Sequence, residues 1–149
     1  MADLSVTITE SVTINGALRG STNTLTTTGI IDTFERVVTC PQAATTTIAT
    51  FATNVYDSAG AIDAENVRYI RVSNLSTDYD IEIGVAGAAS NYSMLIPAGN
   101  SHIIARADNV MLAEADAVPT YGALADITKI EVRPTTANDV EVEIFVATI

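Results

Sequence analysis

The strongest constraint on this chain is a period of two. Residues 67–75 read V-R-Y-I-R-V-S-N-L, with β-branched or aromatic side chains at Val67, Tyr69, Ile70 and Val72. Arg68 and Arg71 break the apolar run, and Ser73-Asn74 followed by Ser76-Thr77-Asp78 closes it with turn formers. Tyr79–Val85 then alternates, with Tyr79, Ile81, Ile83 and Val85 on one face and Asp80 and Glu82 on the other. So short a connection predicts an antiparallel hairpin over 67–85. At the C-terminus Val140, Val142, Ile144 and Val146 point one way, and Glu141, Glu143 and Phe145 the other.

The same period organises the rest. Leu4, Val6, Ile8, Val12 and Ile14 alternate with Ser5, Thr7, Thr9, Ser11 and Thr13. Glu10 interrupts the apolar face and predicts a bulge or a departure from the core. Asn15-Gly16 predicts a tight turn. Residues 17–29 are polar, with Leu18 and Leu25 as their large apolar side chains, and read as an extended arm or edge strand that must lean on something. Further strands are predicted over Ile30–Cys40, Thr45–Phe51, Tyr92–Ile96, Ser101–Ala107 and near Met111. Ile127–Arg133 is another, with Ile130 and Val132 as its apolar side. Asp57–Asn66 and Gly84–Asn91 read as loops, and Pro41, Pro97 and Pro134 mark ends.

Strands recurring about every ten residues, with turn formers between them and no helical period, predict an all-β fold: an antiparallel β-sandwich, jelly-roll-like, with a closed barrel as the alternative. The predicted organisation is an N-terminal strand and extended arm over 1–29 and a β-sandwich domain over 30–149. At 149 residues the chain is long enough to bury most of its apolar surface in one core. That core must be aliphatic, since aromatic residues make up 5% and tryptophan is missing.

Charge and residue inventory exclude several functions. Eighteen acids against seven bases leave a net charge of −11, a surface that repels nucleic-acid phosphates and anionic lipid. Cys40 is the single cysteine, so no internal disulfide forms, and it reads as a small buried hydrophobe. His102, the single histidine, opens a strand with no nucleophile motif beside it; it reads as a surface or half-buried side chain, not a general base. Zinc lacks its ligands. Calcium has one candidate, the loop carrying Asp57, Asp63 and Glu65, but that spacing matches no calcium loop and a solvated loop is favoured. Gly84, Gly87 and Gly99 precede no helix and make no phosphate cradle. Tyr56, Tyr92, Tyr121 and Phe145 are scattered candidates for stacking sugar rings. No catalytic, cofactor-binding or metal residue is assigned, and the chain is expected not to be an enzyme. The opening Met-Ala-Asp-Leu-Ser lacks a secretory layout, and the expectation is synthesis in a reducing cytoplasm.

One likeness goes further than these exclusions. The order Y-I-R-V-S-N-L-S (69–76), D-I-E-I-G-V (80–85), M-L-I-P-A-G-N-S (94–101), I-E-V (130–132) and V-E-V-E-I-F-V-A (140–147) resembles small structural proteins of tailed-phage virions. The opening L-S-V-T-I-T-E-S-V-T-I-N-G, followed by T-N-T-L, is similar to the start of small virion proteins of marine phages. The resemblance implies a capsid decoration, or cement, protein acting through non-covalent contacts with other virion proteins, the major capsid protein foremost. It also implies a virion location after synthesis in the host cytoplasm, and a homo-oligomer with a trimer favoured. The alternative it leaves open is a tail or fibre component that binds host glycans. It transfers no functional residue.

Overall fold

The computed structural model describes residues 1–54, 56, 59–87, 91–104 and 125–149. The described chain is almost entirely strand, as the period of two requires. In chain order the strands are β1 (Ala2–Thr9), β2 (Val12–Ile14), β3 (Ala17–Arg19), β4 (Thr22–Ile30), β5 (Asp32–Cys40), β6 (Thr46–Ala52) and β7 (Ile62–Asp63). After a single 3-10 turn at Ala64–Asn66 come β8 (Val67–Asn74), β9 (Ile81–Gly87), β10 (Asn91–Ile96), β11 (Ser101–Ile104), β12 (Ile127–Pro134) and β13 (Val140–Thr148).

Two sheets pack face to face. One runs β11-β8-β13-β5 and the other β10-β9-β12-β6-β7. All the pairings are antiparallel except β6 with the two-residue β7. The wiring is nested: β5 pairs with β13, β6 with β12, β8 with β11 and β9 with β10. Successive pairs fall in opposite sheets, which is the order made by rolling one long antiparallel ribbon into a jelly roll. The expected antiparallel sandwich is therefore the fold.

Inward-facing aliphatic side chains fill the space between the sheets. Ile70, Ile81, Ile83, Ile130, Ile144, Val72, Val85, Val132 and Val142 are all fully buried there. Cys40 lies in the same core, and burial pushes its thiol above its ordinary pKa, partly offset by a hydrogen bond with Thr46. On β13 the alternation reads directly as inside and outside, with Val140, Val142, Ile144 and Val146 all buried.

Two sequence expectations fail here. The segments 67–74 and 81–87 do not form a hairpin. β8 pairs with β11 and β13, whereas β9 pairs with β10 and β12 in the other sheet. Both strands carry a core-facing apolar row, and crossing between the sheets lets each row face the other across the core. The second failure is Ile127, which strict alternation places opposite Ile130. It is buried with Ile130, because the register shifts between Ile127 and Lys129 and moves one residue across the pleat. In addition, Gly84–Gly87 belongs to β9 and not to a loop. The expected strand near Met111 lies outside the described residues.

Residues 1–30 form a separate twisted ribbon. β1 pairs with β4 and β2 with β3, and the residue numbers of each facing pair from Leu4↔Thr27 to Ile14↔Ala17 keep one register throughout. Asn15 and Gly16 both take positive φ, 52° and 78°, at the tip, the conformation a two-residue turn needs. Residues 17–29, expected as an extended arm or edge strand, are the returning leg of a hairpin arm, paired with β2 and β1. Midway, Gly20 adopts φ +122° and lies so close to Glu10 that a Cβ there would meet the Glu10 carbonyl oxygen at 2.1 Å. This is where the sequence interruption at Glu10 falls.

Candidate functional site

No constellation of reactive side chains assembles among the described residues, so the surfaces with unusual geometry are the candidates. Three stand out: the edge where β10 meets β11, a notch on the outer face of the five-stranded sheet, and the seat beneath the N-terminal arm.

At the first, Tyr92 from β10 and His102 from β11 meet across the open side of the sandwich. The Tyr92 hydroxyl lies 3.0 Å from His102 Nε2, and the rings stand edge to face with centroids 6.2 Å apart. His102 faces Val72 across the ladder, so its ring points toward the core from an edge strand. That placement desolvates the ring and lowers its pKa, while burial raises that of the Tyr92 hydroxyl. The hydrogen bond joins an edge strand of one sheet to an edge strand of the other. No described nucleophile shares the hydrogen bond.

The Asx-rich turn next to this edge is structural. The Asn74 amide is buried, and its Nδ2 donates to the carbonyls of Tyr79 (2.8 Å) and Ile96 (3.2 Å) while its Oδ1 accepts from the Ser76 N–H (3.0 Å). Asp80 Oδ1 accepts from the Ala98 N–H at 3.0 Å, and the Asn74 N–H donates to the Asn100 carbonyl at 2.9 Å. The segments S-N-L-S and L-I-P-A-G-N thereby lock each other at the point where the chain changes sheets. Sequence reading treats Asp80 as an ordinary outer-face acid; its spacing gives no hint of this cross-loop bond.

The notch is a depression of about 190 Å³ lined by Glu82, Gly84, Ser93, Glu131 and Arg133. It exists because Gly84 brings no side chain to the outer face, where Glu131 is its facing residue on β12. Its charges are paired: Arg133 with Glu82, and Lys129 with Glu131 at 2.6 Å.

The loop that offered calcium ligands is used otherwise. Asp63 caps the 3-10 turn, Oδ1 accepting from the Glu65 N–H (3.1 Å) and Oδ2 from Asn66 Nδ2 (2.9 Å). Asp57 lies outside the described residues, and among those described no three His, Cys, Asp or Glu side chains converge.

The third surface is the arm and its seat. The outer face of the four-stranded sheet carries Tyr69 and Phe145, edge to face at 6.1 Å between centroids. Tyr69 is only 5% exposed although it points away from the main core. Its cover is the arm: Leu4 and Val6 pack over Tyr69 and Phe145, with Ile30, Ala147 and Ile149 completing a second, small apolar cluster. Phe145 is therefore covered and not presented for sugar stacking. Tyr56 is fully exposed, Tyr92 is engaged with His102, and Tyr121 lies outside the described residues, so the four aromatic candidates do not form one platform. Sequence reasoning missed the seat, although two outward aromatics on strands of one sheet were its signal.

The seat is incompletely filled. A gap of about 220 Å³ remains between arm and sheet, lined by Val6, Ile8, Leu25, Tyr69 and Ile103 among others. Ile8 and Leu25 at its rim are 49% and 55% exposed, and beyond it the arm's apolar face continues through Val12 (51% exposed) and Ile14 (55%). Its opposite face is a ladder of small hydroxyl side chains, with Thr7 and Thr24 oxygens at 3.1 Å and Thr9 and Thr22 at 3.3 Å.

No helix among the described residues is long and apolar enough to cross a membrane. No family model, no curated protein and no solved structure matches the chain.

Proposed function

We propose that this chain is a structural protein of a tailed-phage virion, a decoration protein that reinforces the capsid exterior by non-covalent contacts with capsid subunits. The observation that carries the reading is a jelly roll bearing a long hairpin arm whose apolar face is seated at its base and exposed at Val12 and Ile14. Such a device makes adhesion between protein surfaces the natural use of the fold. The likeness of residues 69–147 to small virion proteins supports the same reading, and so does a net charge of −11, which keeps a surface protein soluble and away from packaged nucleic acid. A symmetric homo-oligomer, with a trimer favoured, fits a protein that must match repeated capsid positions.

Peptide quantification on purified particles tests the proposal. The proposal expects roughly hundreds of copies per particle, as binding at repeated capsid positions requires. A second reading, a tail or fibre component binding host glycan, draws on the polar notch around Gly84; about a dozen copies or fewer, together with glycan binding lost in Ser93→Trp, would establish it instead. Absence of the chain from purified particles would overturn both.

A further inference from the structure

We infer that the arm is exchanged between copies: the apolar face of one chain's hairpin lies on the outer four-stranded sheet of a second copy, whose arm reciprocates. The inference concerns the oligomer proposed above and holds in solution whether or not a virion is the final setting.

Four observations converge on a second copy as the occupant. First, length. The single register from Leu4 to Ile14 makes a ribbon of roughly 30 Å at about 3.3 Å per residue, and among the described residues Leu4 and Val6 near its base join the apolar cluster on the body. Second, the cis fit is poor. Val6, Ile8 and Leu25 stand over an apolar groove of about 220 Å³ that is open to solvent, with Ile103 on its floor still 42% exposed. The seat therefore matches the arm chemically without being filled by it.

Third, the hinge. The arm joins the body through Gly29, at φ +80°, and Ile31, which is exposed and contributes one backbone bond to the ladder end, its N–H to the Thr148 carbonyl at 2.9 Å. Ile30 between them is buried in the seat cluster and not in the main core, so rotation there leaves the main core in place, and a short hinge beside a self-complementary seat is the arrangement that leads to exchange. Fourth, charge. Of the 18 acids only Asp3 and Glu10 lie in residues 1–31, and Arg19 is one of the seven bases, so the arm carries a formal −1 and residues 32–149 carry −10. A nearly neutral arm can approach a second copy of this acidic molecule without strong like-charge repulsion. Arg19, facing Val12 on the apolar side, adds a cation where the neighbour's acidic body lies.

Cross-linking of the full-length chain tests this directly. Val6→Cys and Ile103→Cys place thiols on opposite walls of one gap, and the native Cys40 is buried. Two single variants are co-expressed and the purified protein is oxidised. Exchange predicts a covalent heterodimer joining Val6→Cys of one chain to Ile103→Cys of another. With the double variant, a disulfide confined within one chain overturns the inference. As a second readout, Ile14→Asp with Leu25→Asp places charges on the exposed apolar face and is expected to raise the oligomer dissociation constant at least about a hundredfold, with an unchanged strand spectrum. A wild-type chain that sediments as a monomer, or an oligomer indifferent to these charges, also overturns it. Particle copy number is measured separately, so exchange and the virion role can fail independently.

Discussion

Asn74 shows how one side chain can decide a crossing. A buried amide must find partners for both its ends, and here they come from Tyr79, Ile96 and Ser76. An apolar replacement would strand two carbonyls and one N–H at the point where the chain passes between sheets. Asn74→Ala is expected to cost about 2–4 kcal/mol, a fall in Tm of roughly 5–15 °C for a chain of this length. Thermal and urea unfolding check the figure, and a loss below about 1 kcal/mol would mean the loops hold without the amide. Turn chemistry in the sequence marks this asparagine as one of the residues that close a strand. What made it matter, the Pro97–Asn100 corner folded against it, is more than twenty residues away along the chain and carries no periodic signature.

Among the elements, the arm is distinct from the jelly roll because its stability has a different source. A two-stranded ribbon is marginal in water, and this one depends on its tip turn, its hydroxyl ladder and the few side chains seated at its base. Gly20 is its most constrained position. A Cβ there would collide with the Glu10 backbone, and the positive φ adds a penalty for any L side chain. Gly20→Ala is expected to leave global unfolding within about 0.5 kcal/mol of the parent, since the site touches no core residue. The Glu10 amide, which donates to the Ser21 carbonyl at 2.8 Å, should exchange its hydrogen at least about tenfold faster. Protection unchanged at that amide would show that the ribbon absorbs the strain elsewhere. The sequence announced a discontinuity at Glu10 but placed its cause on the wrong strand: the acid only marks where the opposite glycine brings the two backbones together.

At the level of the whole molecule, two apolar clusters set two stabilities. The large one between the sheets includes no residue of the arm, while the small one outside the four-stranded sheet joins arm to body. Removing residues 1–29 is therefore expected to leave a cooperatively folded sandwich, less stable by about 1–3 kcal/mol for the lost burial of Leu4 and Val6. Circular dichroism and urea titration decide the point; a truncated chain without a cooperative transition would place the arm inside the folding unit.

Read alone, the residues determined that the chain is all strand, which face of β13 and of the arm is apolar, where the tip turn lies, and that one chemistry after another lacks its side chains. Those properties are local, because a period of two and a turn pair such as Asn15-Gly16 act over a few residues. Only the tertiary structure decided that 67–74 and 81–87 face each other from opposite sheets, that a register shift buries Ile127, that Tyr92 and His102 meet, and that Tyr69 and Phe145 are a seat for the arm. Each depends on which distant strands become neighbours. Neighbours in a sandwich are chosen by burying all the apolar rows at once, a condition on the whole chain that no single stretch of it encodes.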